Sequence, residues 1–432
     1  MNKYPKYKNS GIAWLGEIPE HWEIRRIKYV FKELNNRSET GKEDLLSVSQ
    51  YTGVTKKSDK VAEGESISNA KTLEGYKIVE KGDLVINIML AWNGSLGISK
   101  YNGIVSPAYC VYRNHIGNER YFGYLFKTKN GQQEFKKQST GIIDSRLRMY
   151  TDSFFDIKTA LPPKKEQIKI AHFLDYKIEK INRFIKKKKQ LIKLLNEQKT
   201  AIINQAVTKG LDPNAQLKDS GIEWLGDIPV HWKVKKLKYG TNILRGKFTP
   251  RPRNDPKFYD GDYPFIQTGN ITSTGKYIET YNQTLNELGK NVSKEFPINT
   301  VVMSVAANIA DVAILNFKAC FPDSVIGFYP FEGTDTDFLF YQLKNLRAEF
   351  YKIAIKSTQY NLNVDRVKNV KIFLPPFLEQ QAIVKYIENE LGLIDKTIST
   401  IQKEITLVEE YKTALIAEAV TGKIDVRKWS EP

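Results

Sequence analysis

The sequence predicts an α+β protein built as an internal pseudo-two-fold repeat: two strand-rich globular domains joined by two long helices that pair as an antiparallel coiled coil. Three observations carry this expectation. The run from Leu161 to Gly210 occurs twice, because Leu161-Pro-Pro-Lys-Lys-Glu-Gln and Leu374-Pro-Pro-Phe-Leu-Glu-Gln open segments that align without a gap at an offset of 213, as far as Ala206-Val-Thr and Ala419-Val-Thr. Both copies carry a heptad seam. A block near the amino terminus, Ser10-Gly-Ile-Ala-Trp-Leu-Gly-Glu-Ile-Pro-Glu-His-Trp, also recurs, as Ser220-Gly-Ile-Glu-Trp-Leu-Gly-Asp-Ile-Pro-Val-His-Trp at an offset of 210. The expected boundaries are 1–160 and 211–373 for the globular domains, and 161–210 and 374–432 for the helical regions.

The helices follow from periodicity. Leu174, Ile178, Ile181, Ile185, Lys188, Ile192, Leu195, Lys199 and Ile202 alternate steps of four and three, and Ile387, Leu391, Ile394, Ile398, Ile401, Ile405, Val408, Lys412 and Leu415 repeat the register. Only a 3.5-residue repeat keeps such a row facing one partner. Pro162-Pro163 and Pro375-Pro376 suit helix starts, Glu166 and Glu379 put negative charge in the first turn, and Gly210 and Gly422 suit stops. A helix of roughly 43 residues is about 60 Å long, too long to fold back into a small core, so it must pair lengthwise. From Pro163 to Lys199 there are twelve Lys or Arg against four Asp or Glu, including Lys186-Lys-Lys-Lys189; from Pro376 to Lys423 there are five against eight. The opposite signs favour one intramolecular pair, antiparallel if the halves are related by a pseudo-two-fold axis. A solvated face or a nucleic-acid contact is the other use for the lysine run.

Of the twenty positions from Ser10 to Tyr29, twelve are identical in the second copy, which makes the whole chain a tandem duplication. Trp14, Leu15, Ile18 and Trp22 read as anchors of a turn-rich docking segment. His21 and His231 invite a metal or general-base role, but four histidines without cysteine partners point to a structural one. Between block and helix lie Glu23 to Ala160 and Lys233 to Phe373, the equivalent globular domains. Lys81 to Ile88, Ala108 to Tyr112, Ile298 to Val305 and Val325 to Tyr329 read as buried strands, and helices begin near Tyr121 and Asp337. Residue identity mostly disappears inside these domains. Two copies alike in scaffold but divergent in their globular parts suggest the same task performed on different targets; faster drift where packing is loose is the other reading, which strand-rich cores do not favour.

The chain has 432 residues, 41% of them apolar, and a net charge of +17, an excess that favours a polyanionic partner. Cys110 and Cys320 lie in apolar, strand-like runs and read as free buried thiols suited to a reducing cytosol, so a cytoplasmic location is expected. The first residues have no apolar core for a signal peptide, and no apolar run is long enough for a membrane span. Loops rich in base-reading side chains nominate DNA contacts: Arg37, Trp92, Asn93, Ser139, Thr140, Arg146 and Arg148 in the first domain, and Arg245, Lys247, Arg251, Arg253, Gln267, Asn270, Gln359, Tyr360, Asn361 and Asn363 in the second. Arginine matches guanine and Asn or Gln matches adenine by bidentate hydrogen bonding. No P-loop, Gly-rich dinucleotide loop, His-Glu-x-x-His or metal-type cysteine cluster occurs, and both Pro-Pro pairs follow Leu rather than the Asn or Asp of an adenine methyltransferase site. The chain therefore reads as a recogniser without cofactor or metal, with any chemistry done by a partner.

The twice-repeated Trp-Leu-Gly-x-Ile-Pro-x-His-Trp block, with Leu-Pro-Pro-x-x-Glu-Gln twice opening a long helix, closely resembles the specificity subunit of type I restriction-modification systems. The resemblance covers essentially the full chain. It implies that each globular domain is a target-recognition domain for one half of a bipartite, asymmetric DNA sequence, and that the paired helices are a spacer and a dock for two methylase subunits. Those partners carry S-adenosylmethionine and methylate adenine, and restriction subunits join the full complex. Leu161, Pro162, Pro163, Glu166 and Gln167, with Leu374, Pro375, Pro376, Glu379 and Gln380, match the family's helical motif; Glu166, Gln167, Glu379 and Gln380 are the expected partner-binding positions. Base-reading residues do not carry over, because the family has no fixed motif for them. Lys188 departs from its apolar counterpart Ile401 and is expected to set the register of the pair or reach a partner. The competing class is a coiled-coil scaffold without DNA sequence specificity, which predicts weak salt dependence of DNA binding where a reader predicts a steep one.

Overall fold

A computed structural model of the chain describes residues 2–60, 70, 72–222, 225–306, 308–356 and 360–431. It divides into two compact units, Met1–Lys189 with Gln402–Pro432, and Gln190–Ile401. The division falls within the helices. Lys164–Lys209 and Phe377–Val420 are each one continuous helix, of 46 and 44 residues, and each unit holds a part of both.

In the first unit the helices run antiparallel. Asn182 Oδ1 accepts from Lys412 Nζ at 2.8 Å and Lys188 Nζ lies 2.6 Å from Glu404 Oε2, so one number rises as the other falls. Lys188 thus fills its seam position by pairing with the facing helix, as a register-setting residue would. The second unit has a like contact, Lys199 Nζ to Asp395 Oδ1 at 2.6 Å. Seam residues Leu174, Ile185 and Leu415 are buried in the first unit, and Ile387, Ile394 and Ile401 in the second. Both helices end on left-handed glycines, Gly210 and Gly422, each at φ +75°. At Gly422 a Cβ would stand 2.3 Å from Pro19 Cδ, so only glycine lets the helix end meet the docking segment.

The globular parts share a plan. In the first unit, strands Phe31–Leu34, Tyr109–Asn114, Leu84–Asn87 and Leu96–Ile98 form an antiparallel sheet in that order. In the second, Thr241–Arg245, Val325–Pro330, Val301–Ser304 and Val312–Leu315 repeat the order, and Tyr277–Ile278 adds a parallel edge. The expected buried strands lie at the centres of these sheets. A two-stranded ribbon closes each domain at its base: Glu23–Arg26 pairs with Lys158–Leu161, and Lys233–Lys236 with Lys371–Leu374, immediately before each helix. Helices Glu119–Phe126 and Thr336–Asn345 pack on the sheets, near the starts expected from sequence. Phe31, Phe122, Phe126, Phe135 and Phe154 fill the first core, each fully buried ring contributing roughly 1.5–3 kcal/mol. Cys110 and Cys320 are buried free thiols, and burial pushes the Cys320 thiol up to about 11. Among the described residues no helix is long and apolar enough to cross a membrane, and no His, Cys, Asp and Glu cluster could hold a metal ion.

Candidate nucleic-acid interface

The repeated motifs meet at the base of each domain. Glu166 stands in the first turn of its helix and accepts hydrogen bonds from Trp22 Nε1 at 2.9 Å and from Tyr4 Oη, with His21 Nε2 2.9 Å away. Glu379 repeats this with Trp232 Nε1 at 3.0 Å and His231 Nε2 at 2.7 Å. The next residue ties the helix start to the globular domain. Gln167 accepts from the Asn118 amide at 2.8 Å and donates to Pro162 O at 2.7 Å; Gln380 accepts from the Asp335 amide at 2.8 Å and donates to Pro375 O and Gly333 O, each at 2.9 Å. Asn118 and Asp335 cap the N-termini of the sheet-packed helices. The four residues expected at a partner surface are therefore an internal clamp: Glu166, Gln167 and Gln380 are buried, and only Glu379 is partly exposed. Both histidines sit against the clamp glutamates.

This clamp holds the sheet, and the polar loops project from it. In the second unit a cleft of about 650 Å³ gathers four of the nominated residues, Arg245, Arg253, Asn361 and Asn363, with Asp323 and Lys368. Arg245 ends an edge-side strand and is exposed. Arg253 Nη2 donates to Asp323 Oδ1 and Oδ2 at 2.7 and 2.9 Å. The Asn361 backbone pairs with Ile355 and bridges to Ala306, while Asn363 caps the short helix Val364–Lys368 by accepting from the Asp365 amide at 2.7 Å.

The other nominated residues of this unit are placed differently. Arg251 turns back on its own loop, donating from Nη1 to Phe248 O at 3.2 Å, Thr249 O at 3.5 Å and Pro250 O at 2.7 Å. Gln267 Nε2 donates to Gln283 at 2.7 Å and its amide to Asn270 Oδ1 at 3.0 Å, so both side chains are engaged in a local turn. Lys247 is exposed, and its amide pins the strand end to Phe321 O at 2.9 Å. Tyr360 stacks edge-on with Tyr351. Gln359 lies outside the described residues.

In the first unit the helix Lys129–Gln138 organises most of the nominated set. Lys136 Nζ lies 5.4 Å from the centroid of Trp92, whose Nε1 donates to Met89 O at 3.2 Å. Asn93 Oδ1 accepts from the Ser95 amide and hydroxyl at 3.2 and 2.8 Å, and Ser139 Oγ caps the helix on Phe135 O at 2.7 Å. Thr140 and Arg148 exchange backbone hydrogen bonds at 2.9 Å each way, closing a loop that displays Arg146 and a fully exposed Ile142. Arg37 belongs to another segment, where it donates to Gly75 O at 2.9 Å.

The two loops dock alike. The Met149 amide donates to Ile88 O and the Leu362 amide to Val305 O, both at 2.9 Å and both just past a central strand. Sequence reasoning missed Asp323, Asp365 and Lys368. A lone acid in a turn carries no pattern, and only the fold brings it to the arginine loop.

Comparison with known proteins gives consistent results. The family model for the type I restriction modification DNA specificity domain matches twice, over residues 19–194 and 229–410. The MjaVIII type I restriction enzyme specificity subunit of Methanocaldococcus jannaschii is 27% identical, covering 95% of this chain and 94% of its own. The putative MjaX specificity subunit of the same organism is 26% identical over 98% and 99%. Two solved structures share the fold. One, described as the structural basis of complex assembly and conformational transition of the type I R-M system, has TM-score 0.72 at 16% identity and covers 94% of this chain and 99% of its own. The HsdS subunit from Thermoanaerobacter tengcongensis has TM-score 0.58 at 17% identity, over 94% and 98%.

Proposed function

This chain belongs to the type I restriction modification DNA specificity family and functions as a specificity subunit, and from that premise we propose that each mixed domain reads one half of a bipartite, asymmetric DNA site. The observation that carries this is the pairing of like and unlike. Both domains have the same sheet order, basal ribbon and Glu-Gln clamp, yet they project different polar loops. One module copied for one purpose would keep its loops; two targets require two loop sets. The net charge of +17 supplies the sequence-independent attraction to phosphates, and the loop side chains supply discrimination.

The proposed interface is Arg245, Arg253, Asn361 and Asn363 in the second domain, and Trp92, Arg146 and Arg148 in the first, with Lys247, Tyr360 and Arg37 at their margins. The proposed partners are double-stranded DNA, two methylase subunits docked along the helices and, in the full complex, restriction subunits. Methyl transfer and cleavage belong to those partners. The clamp residues Glu166, Gln167, Glu379 and Gln380 act on partner binding by fixing the angle at which each domain leaves its helix. The helices set the spacing between half-sites, so deleting one heptad from both is expected to change the gap in the methylated motif.

The test is to coexpress the chain with a competent methylase subunit and map methylated adenines across the host genome. A split motif with two unlike halves and a fixed gap is expected. A complex that forms but leaves methylation without a motif would favour the scaffold instead.

A further inference from the structure

We propose that Arg253, held in place by Asp323, reads a guanine in the half-site of the second domain, which deepens the function proposed above and rests on it. Arg253 is fixed at both ends. Its backbone carbonyl accepts from Tyr259 Oη, and its Nη2 donates to both oxygens of Asp323 at 2.7 and 2.9 Å. Asp323 sits in the turn that leads into the central strand Val325–Pro330, closed by the Val325 amide on Pro322 O at 3.1 Å. The arginine loop leaves the neighbouring strand through Gly246, whose Cβ would stand 2.0 Å from Pro322 O. Only a glycine allows that approach, and it brings the acid on the rigid sheet within reach of the loop. Arg251, two residues earlier, shapes the loop by donating to three of its carbonyls.

The geometry selects the ligand. With Nη2 committed to Asp323, the Nε and Nη1 donors of Arg253 have no protein acceptor among the described residues, and Arg253 lines the cleft. Nε and Nη1 point to different sides of the guanidinium, so a base edge is met by one of them, and a cation with only donors to offer matches an edge that carries only acceptors. In the major groove guanine presents O6 and N7, whereas adenine pairs its N7 with an amino donor and cytosine offers a donor. The carboxylate also argues against a phosphate contact. It offsets the arginine charge and repels a phosphate, but leaves hydrogen bonding to a neutral base edge intact. Arg245, in the same cleft and without a carboxylate partner among the described residues, is the better phosphate anchor. A guanidinium that is already oriented also loses little freedom on binding. In the first domain the corresponding turn before Tyr109–Asn114 is Ser106-Pro107-Ala108, with no acid, so the device belongs to the second half-site alone.

The test uses the full chain copurified with its methylase, comparing wild type with Arg253→Ala, Asp323→Asn and Arg251→Ala by genome-wide mapping of methylated adenines and by DNA affinity against salt. The wild-type motif is expected to contain an invariant guanine in one half-site. Arg253→Ala should relax that base pair roughly tenfold or more while the other positions hold. Asp323→Asn, which keeps volume but weakens the hold, should relax the same pair to a smaller degree, as should Arg251→Ala by loosening the loop that carries Arg253. Thermal unfolding and copurification serve as folding controls, since Arg253 and Asp323 are both about half exposed. If Arg253→Ala weakens all sites uniformly and lowers the salt slope by about one, the residue contacts phosphate and the proposal falls. An unchanged motif in a folded complex would equally overturn it. A wild-type complex with no split motif would instead remove the two-domain reading beneath it.

Discussion

The two clamps use the same Trp, His and Glu, yet they are not equally enclosed. The Glu166 side chain is 6% exposed and that of Glu379 28%. The difference comes from the segments that close over each clamp. In the first unit Tyr4 adds a third donor to the carboxylate, Arg427 lies 4.9 Å above the tyrosine ring, and the Asp425 amide bonds Asn2 O at 2.8 Å. In the second unit Asn214 stands at the position matching Tyr4, and the segment offers no such ring. A motif that is identical as a string therefore becomes a sealed network in one copy and a half-open one in the other. Burial is set by the accessory segments.

The largest expected effect tests that inequality. Glu166→Ala strands Tyr4 Oη and Trp22 Nε1 in a buried site and should destabilise its unit by about 3 kcal/mol or more, whereas Glu379→Ala should cost about 1–2 kcal/mol because water can replace it. Hydrogen exchange resolved by unit would check both, and equal losses would break the comparison. Tyr4→Phe deletes only the extra donor, so about 1 kcal/mol is expected in the first unit, while exchange in the second should be unchanged.

The seam gives a smaller effect. The Lys188–Glu404 pair is partly solvated, with side chains 26% and 45% exposed, so Lys188→Ile should change thermal stability by less than about 1 kcal/mol. A large loss there would mean that the pair does more than hold register.

Acid should act least, and first at the chain end. Arg427 holds the Asp425 carboxyl below its ordinary value of 3.8. The folded form is thus stabilised above that value, and the contribution is lost as pH falls through the lower folded one. Trp429, packed against Phe173 and Tyr176, should report this by a fluorescence change confined to pH below about 4.

What was legible in the sequence follows from the forces involved. Apolar period fixes a helix seam whatever the tertiary context, so both helices, their glycine stops and their lengthwise pairing could be read directly. The clamp could be seen as a repeat but not as a bond. Glu166 and Gln167 at a helix start look like solvent-facing polar residues until the ribbon from Glu23 to Arg26 and the docking segment close over them. Loop polarity was the least legible. Arg251 and Arg253 are equivalent as sequence, yet one is engaged with its own loop's carbonyls and the other is presented in a cleft, because only the second meets an acid seventy residues away. Gln267 and Asn270 likewise satisfy a turn rather than project from it.

The most direct test of the central claim, that the two mixed domains are interchangeable readers on one scaffold, is to replace residues 23–160 by a second copy of 233–373 and map adenine methylation in the assembled complex. The account predicts a motif whose two halves have become the same, both matching the half-site in which Arg253→Ala relaxes one base pair. Retention of the original unlike halves, in a complex that assembles and methylates, would contradict it.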